Sequence, residues 1–381
     1  MAKLLLMAST FQHCPNETAP CFAVIILVLW PALGSNFFPK VDAGQILLHY
    51  SAPAGTRIEE TAKIAAEVNT VIKQVIPADE LDSTVDNIGL PISGVNLTYN
   101  DTGTNGANDT DTFIALKEHH HPVQFYTRLL REKLREKFQS VDFAFLPADM
   151  VGKILNFGHP ADIDIQIIGL HHGANHNYAR RLLQRIRTIP GIVDSRIRQS
   201  DQYPALFVDV DRTRAKELGF TQQDIGNNLM IALAGSFQTT PNFWVDPDNK
   251  MNYQITTQMP QYEIDTVQDL LNMPITNAAV STPMQILGAV ASIKRVGVPL
   301  VASHYNVQPM LNILAGVDGR DMGAVGSDLN RIIKETAKDL PEGSQIFVRG
   351  QIATQQSTFK TLFFVPTVFK ILHRTQEPSH V

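Results

Sequence analysis

A chain of 381 residues is long enough for two or three domains with cores of their own. Hydrophobic residues at 44% and charged residues at 18% suit an ordered protein, and a net charge of -5 without a basic, aromatic-interleaved stripe excludes nucleic acid as the expected partner. The two cysteines, Cys14 and Cys21, cannot by themselves build a disulfide framework or a zinc site.

Cys21 to Gly34 (CFAVIILVLWPALG) is uncharged and dense in branched apolar residues. It falls short of the roughly 20 residues of a full membrane span. Residues 1–36 read as an N-terminal segment carrying a membrane anchor, with a signal peptide as the alternative. From Gln45 to Ser51 the residues Ile46, Leu48 and Tyr50 alternate with their neighbours, which predicts a strand. Pro53 to Thr56 is a turn, and Ile58 to Val75 carries the apolar stripe of a helix that Pro77 stops. Leu81 to Ile88 can return as a strand. Asn100 to Thr110 (NDTGTNGANDT) is poor in apolar residues and reads as a mobile loop. A short strand over Phe113 to Leu116, a helix over Val123 to Phe138 and a strand holding Val141, Phe143 and Phe145 complete a β-α-β-β-α-β order, the ferredoxin-like arrangement.

The pattern repeats. Asp162 to Gly169 alternates strictly, Asn175 to Thr188 has helical spacing, and Ile192 to Arg198 is the next strand. The second half resumes with a strand over Met310 to Val317, a helix over Met322 to Lys338 and a strand over Ser344 to Arg349. Between these halves a different segment intrudes. It opens as a strand around Leu206, Val208 and Val210, continues as two short helices joined at Gly219-Phe220-Thr221, and breaks into a hairpin-like stretch from Pro241 to Asn249. Thr221 with Asp224 three residues on predicts a capped helix start. The expected fold is therefore α+β: two ferredoxin-like units over 37–160 and over 161–202 with 298–352, the second interrupted by an insertion over 203–297. Residues 353–381 end in the apolar run Thr361 to Leu372, too short to cross a bilayer.

Several medium-length motifs fall in one order: FFPKVDAGQ (Phe37–Gln45), APAGTRIEET (Ala52–Thr61), ILNFG (Ile154–Gly158), VDVDRTRAKELG (Val208–Gly219), SFQTTPNFW (Ser236–Trp244), SHYNVQP (Ser303–Pro309) and FVRGQ (Phe347–Gln351). In this order they resemble the C-terminal-half periplasmic region of the resistance-nodulation-division (RND) exporters of the acriflavine-resistance, multidrug type. The resemblance implies two porter subdomains, a docking subdomain inside the second, and a trimer working with a periplasmic adaptor protein and an outer-membrane channel. It places the bulk of the chain in the periplasm against a bacterial inner membrane. It implies export of amphipathic compounds driven by protons. After FVRGQ the sequence passes almost at once to a run similar to the end of the family's last membrane helix. On that reading the chain is internally deleted and would not transport alone; a non-transporting porter-like binding fragment is the alternative.

By the same resemblance Asn100, Thr102 and Asn105 stand where a switch loop divides the substrate pocket, and Phe143, Phe145 and Phe157 flank a substrate pathway. Phe143 and Phe145 also fit an ordinary core. Phe243 and Trp244, large aromatics in the hairpin, are candidate interface anchors. His119, His120 and His121 invite a metal reading, but adjacent residues on an extended chain face opposite ways. These, with His171, His172 and His176, read as solvated. No G-x-S-x-G, H-E-x-x-H or phosphate loop is present, so neither an enzyme nor a cofactor is expected, and the ten methionines are scattered rather than arrayed for soft metals.

Overall fold

The computed structural model describes residues 42–90, 104, 106–149, 152, 154, 158–200, 202–277, 284–355 and 357–358. The expected anchor within residues 1–36, the C-terminal apolar run, and Asn100, Thr102, Asn105 and Phe157 lie outside these residues. Among the described residues no helix is long and apolar enough to cross a membrane. By internal contacts the chain divides into one unit over 1–201 with 299–381 and a second over Gln202–Val298.

Period-2 alternation makes β1 (Gln45–Ser51) two-faced. Ile46, Leu48 and Tyr50 enter a core against α1 (Ile58–Val75), while Leu47, His49 and Ser51 take the opposite face. The turn before α1 closes through a hydrogen bond from the Thr56 amide to the Pro53 carbonyl, with Gly55 at a φ of 89° that only glycine adopts freely. β2 (Leu81–Ile88), β3 (Asp109–Leu116), α2 (Val123–Lys137) and β4 (Asp142–Leu146) complete the first repeat. Its antiparallel sheet has the order β2-β3-β1-β4, with His49 opposite Asp111 and Tyr50 opposite Phe143. Tyr126, Leu130 and Leu134 of α2 and Val68, Val71 and Ile72 of α1 fill its core from one side.

β5 (Ile163–Ile168), α3 (His172–Ile186) and β6 (Ile192–Ile197) open the second repeat. The chain then leaves for the second unit, formed by β7 (Tyr203–Val210), α4 (Arg212–Glu217), α5 (Gln222–Ala234), β8 (Asn242–Val245), β9 (Asn252–Ile255), α6 (Val267–Leu271), β10 (Pro274–Ile275), β11 (Gln285–Ile286) and β12 (Ala291–Val298). It returns through β13 (Ser303–Tyr305), β14 (Gln308–Val317), α7 (Met322–Thr336) and β15 (Gln345–Gly350). In the second sheet β15, β5 and β14 are successive neighbours, and both β6 and β13 pair with the far side of β14. Strand for strand this is the order of the first repeat. Ile163, Ile165 and Ile167 are wholly buried under Tyr178, Leu182 and Ile186 of α3 and Val325 and Leu329 of α7. Burying a side chain of this size stabilises by about 1.5–3 kcal/mol each.

In the inserted unit β7 and β12 pair antiparallel along their whole length. Thr221 and Asp224 form the expected capping box, and Thr266 and Asp269 form a second at α6. Burial of Phe220, Ile225, Leu270, Met273, Ile275 and Leu287 gives this unit its own core.

Two expectations are corrected. Asp109 and Thr110, read as part of a mobile loop, belong to β3, and Asn108 beside them is buried. Their polarity hid the strand, because the face they occupy is covered yet hydrophilic. His176, read as solvated, is buried on the inner side of α3, while His171 and His172 are exposed.

Candidate functional site

The two repeats of the first unit meet at a defect in a strand. On β6, Val193 pairs with Gly316 and Arg196 with Leu314, so two residues oppose the single Ala315. This is a β-bulge, and Asp194 within it adopts a φ of 54°, which Asp tolerates better than most residues. The bulge places Val193 and Arg196 on the same face and turns the Asp194 carboxylate to the first repeat. There it accepts from Arg131 at both oxygens (Nε to Oδ1 3.0 Å, Nη2 to Oδ2 2.9 Å), from Arg135 Nη2 at 3.1 Å and from the backbone N–H of Phe145 at 3.1 Å. Arg131 also reaches Asp318 through Nη1 at 3.2 Å, and Arg128 binds Asp318 with Nη2 at 3.0 Å. The helical spacing of Arg128, Arg131 and Arg135 lines them along one face of α2. The Arg131–Asp194 pair is shielded from solvent, whereas Arg135 and Arg128 are well exposed and contribute little.

Beside this clasp runs a cleft of about 400 Å³ between the repeats. Its wall includes Asp42, Asp149, Asp162, Asp194 and Asp318 against Arg131 and Arg196, with Phe145 the one aromatic among the described lining residues. The Arg131 guanidinium lies 4.9 Å from the Phe145 ring centre. Phe143 does not join it. Its ring packs on Tyr50 at 5.6 Å and Phe138 at 5.9 Å, within the first core.

On the face of the first sheet turned from the helices lies a buried polar group that sequence reading missed. His49 Nδ1 is 2.8 Å from Asp111 Oδ1, a cross-strand pair. The other ring nitrogen, Nε2, is 3.4 Å from Ser51 Oγ, which donates to Asp109 Oδ1 at 2.6 Å. His49, Asp109 and Asp111 are each at most 3% exposed. An Asp that accepts from one imidazole nitrogen orients the other as a metal ligand, the usual carboxylate–histidine arrangement. Asp111 Oδ2 has no hydrogen-bond partner among the described residues, nor does Arg196 Nη2, and both atoms are sealed from solvent. Among the described residues no group of three His, Cys, Asp or Glu side chains is arranged to hold a metal ion. His49 Nε2, the Ser51 hydroxyl and Asp109 form one chain of contacts, in which Asp109 Oδ1 also accepts from Asn108 Nδ2 at 3.2 Å. The signal in the sequence was the alternation of His49 with Leu48 and Tyr50 and of Asp109 and Asp111 with Thr110 and Thr112.

His119, His120 and His121 do not converge. His121 instead binds Glu80, through Nδ1 at 2.6 Å and its backbone N–H at 2.7 Å. The Tyr126 hydroxyl donates to the same carboxylate at 2.6 Å. These donors, Tyr126 foremost, hold the Glu80 carboxyl down to about 2, and burial pushes the Tyr126 hydroxyl up to about 12.

In the second unit β8 and β9 form a hairpin with Trp244 opposite Tyr253. Both faces of it are exposed: Phe243, Trp244, Val245, Tyr253 and Ile255 all stand open. The ring of Phe243 packs edge-on to Phe237 at 5.6 Å, and Trp244 lies 5.8 Å from Tyr253.

Two ferredoxin-like repeats joined across a charged cleft, the second carrying an inserted unit, make up the described part of the chain. The chain belongs to the AcrB/AcrD/AcrF family, whose model matches residues 16–372, and so to the RND transporters. It is similar to the cobalt-zinc-cadmium resistance protein CzcA of Cupriavidus metallidurans, 23% identical over 364 residues, covering 92% of this chain and 33% of that protein. It is also similar to the cation efflux system protein CusA of Escherichia coli, 24% identical over 372 residues, covering 94% and 33%. The chain thus spans about a third of the length of these relatives. Among solved structures, a heavy metal efflux pump in a second crystal form superposes with a TM-score of 0.74 at 20% identity, over 97% of this chain and 38% of that one. That likeness supports the fold. The resemblance read from the motifs holds at the level of the family, while these relatives are named for metal cations rather than for acriflavine or multidrug export.

Proposed function

We propose that this chain is the porter and docking part of an RND exporter of divalent metal cations, of the zinc, cobalt and cadmium kind. The observation that carries it is the buried His49–Asp111 pair, with Ser51 at the other ring nitrogen and Asp109 beyond it. Imidazole and carboxylate suit borderline divalent ions, whereas copper(I) and silver would call for thiolate or thioether donors. The name of the CzcA relative supports the same ions. Along the cleft Asp42, Asp149 and Asp162 add to Asp194 and Asp318, which Arg128, Arg131 and Arg135 already hold, and the small acidic excess left over Arg196 favours a cation over an amphipathic drug. Two protein donors make a site of passage rather than storage, since transport needs binding loose enough to release.

In the complete exporter, which we infer to be a proton-driven trimer in the inner membrane working with an adaptor and an outer-membrane channel, this part would sit in the periplasm. The β8–β9 hairpin, with Phe243 and Trp244, would dock on a neighbouring subunit. Energy coupling would come from other parts of the exporter. The test is a cobalt(II) titration of the purified full chain, read by visible absorption and by calorimetry. One ion should bind, and His49→Ala and Asp109→Asn should each abolish binding. An ion that binds equally well to both variants, or no ion at all, would overturn the reading.

A further inference from the structure

The exposed aromatic hairpin and the histidine run are accounted for by docking and by Glu80. The bulge at Asp194 is not. β4 is the last strand of the first sheet, β6 lies at the border of the second, and the two touch. Among the described residues no strand pairing joins them. A bulge ends pairing and re-aims a side chain, and here one side chain stands in for the missing ladder. The Asp194 carboxylate accepts from the N–H of Phe145 on β4 and from two nitrogens of the Arg131 guanidinium. Asp318, also of the second repeat, takes the third nitrogen of Arg131 at 3.2 Å. Each repeat meanwhile has an apolar core of its own, around Leu48, Tyr50 and Leu130 in the first and Ile165, Leu182 and Val325 in the second.

We propose that Asp194 and Arg131 form a releasable latch between the two repeats. Closed, it fixes them side by side; released, it lets them part along the cleft as two intact bodies. A strand ladder would bind the repeats along a whole edge, whereas this joint hangs on one carboxylate. Its chemistry gives it two good states. When it is closed, the side chains of Asp194 and Arg131 are only 3% and 13% exposed, and charge-assisted bonds satisfy them. When it is fully parted, water solvates both. A half-open joint strands a buried charge and is the costly state, so release is all-or-none. Arg131 closes on two carboxylates of the second repeat at once, which sharpens the switch. The separate cores mean that parting exposes little apolar surface from either. Arg131, Phe145, Asp194 and Asp318 all stand in the wall of the cleft, so the width of the cleft follows the latch. This role holds whatever ion or molecule enters there.

The experiment measures the distance between spin labels on the two repeats by pulsed electron resonance. The labels sit at Gln74→Cys on α1 and Gln184→Cys on α3, both exposed, in the full chain carrying Cys14→Ser and Cys21→Ser so that no other thiol reacts. With the latch intact one narrow distance distribution should appear. Asp194→Asn and Arg131→Met should each add a second population at longer distance, while circular dichroism shows both repeats still folded. Arg128→Met, which removes an exposed arm, should leave the distribution unchanged. Arg131→Met keeps the bulge and the Phe145 bond, and so decides the matter if Asp194→Asn does not fold. A narrow distribution in the folded latch variants overturns the proposal, as does a broad one in the chain with its latch intact. Failure of both variants to fold overturns it too, since the joint is then a permanent part of the structure.

Discussion

The two repeats bury polar residues on equivalent sheet faces, and they satisfy them very differently. In the second repeat Asp164 is ringed by donors. Asn312 Nδ2 reaches Oδ1 at 2.8 Å, Gln166 Nε2 reaches Oδ2 at 2.9 Å and His159 Nδ1 lies 3.0 Å from Oδ2. Gln199 closes the group by donating to Asn312 Oδ1 at 2.8 Å and accepting from its backbone N–H. In the first repeat the corresponding face leaves Asp111 Oδ2 and Asn108 Oδ1 without partners among the described residues. A closed network rigidifies; an open one is held ready for something else. One fold, used twice, closes this polar face in one copy and leaves it partly open in the other.

The largest effect that can break this comparison is stability. Asp164→Ala should cost about 3 kcal/mol, because it strands several buried donors, whereas Asp111→Asn should cost less than about 1 kcal/mol. Urea denaturation of the two variants checks this, and equal losses would mean that both faces are structural. A smaller effect depends on acidity. The Glu80 carboxyl is depressed from 4.5 to about 2 in the folded chain, so its stabilisation is complete above the unfolded value and disappears as pH falls from there through the folded one. Glu80→Gln should therefore flatten the stability curve between pH 4.5 and 2 while leaving cobalt binding at pH 7 intact. Thermal melts across that range would show it, and an unaltered curve would remove Glu80 from the account. The smallest effect belongs to the hairpin: Trp244→Ser should change the melting free energy of the isolated chain by no more than ~0.5 kcal/mol, as at exposed positions generally. A loss above ~2 kcal/mol would make Trp244 a packing residue rather than a docking one.

How much of this could be read in advance follows from the kind of face each residue occupies. Strands and helices with one apolar face, such as Gln45–Ser51, Ile58–Val75 and Ile163–Ile168, announce themselves by period. Of the strand Asp109–Leu116 only the end Phe113–Leu116 did, since four polar residues in succession look like a loop unless the cover over them is known. For the same reason the site was hidden: His49 and Asp111 are 62 positions apart and meet only through strand pairing. The aromatic residues that stood out in the sequence divided, Phe145 to the cleft and Phe143 to the core. The bulge at Asp194 has no pattern in the sequence, because it is a property of two strands together.

The antiparallel stem of the inserted unit has a consequence for how this protein can be altered. Tyr203 pairs with Val298 at its base, and the Leu300 amide bonds the Ser200 carbonyl at 3.2 Å. Chain entry and chain exit are therefore neighbours, about 5 Å apart as in any antiparallel pair. To the surrounding repeat, nearly a hundred residues weigh no more than a hairpin turn. Exchange of the unit for another with neighbouring ends should therefore leave β6 and β14 on their path.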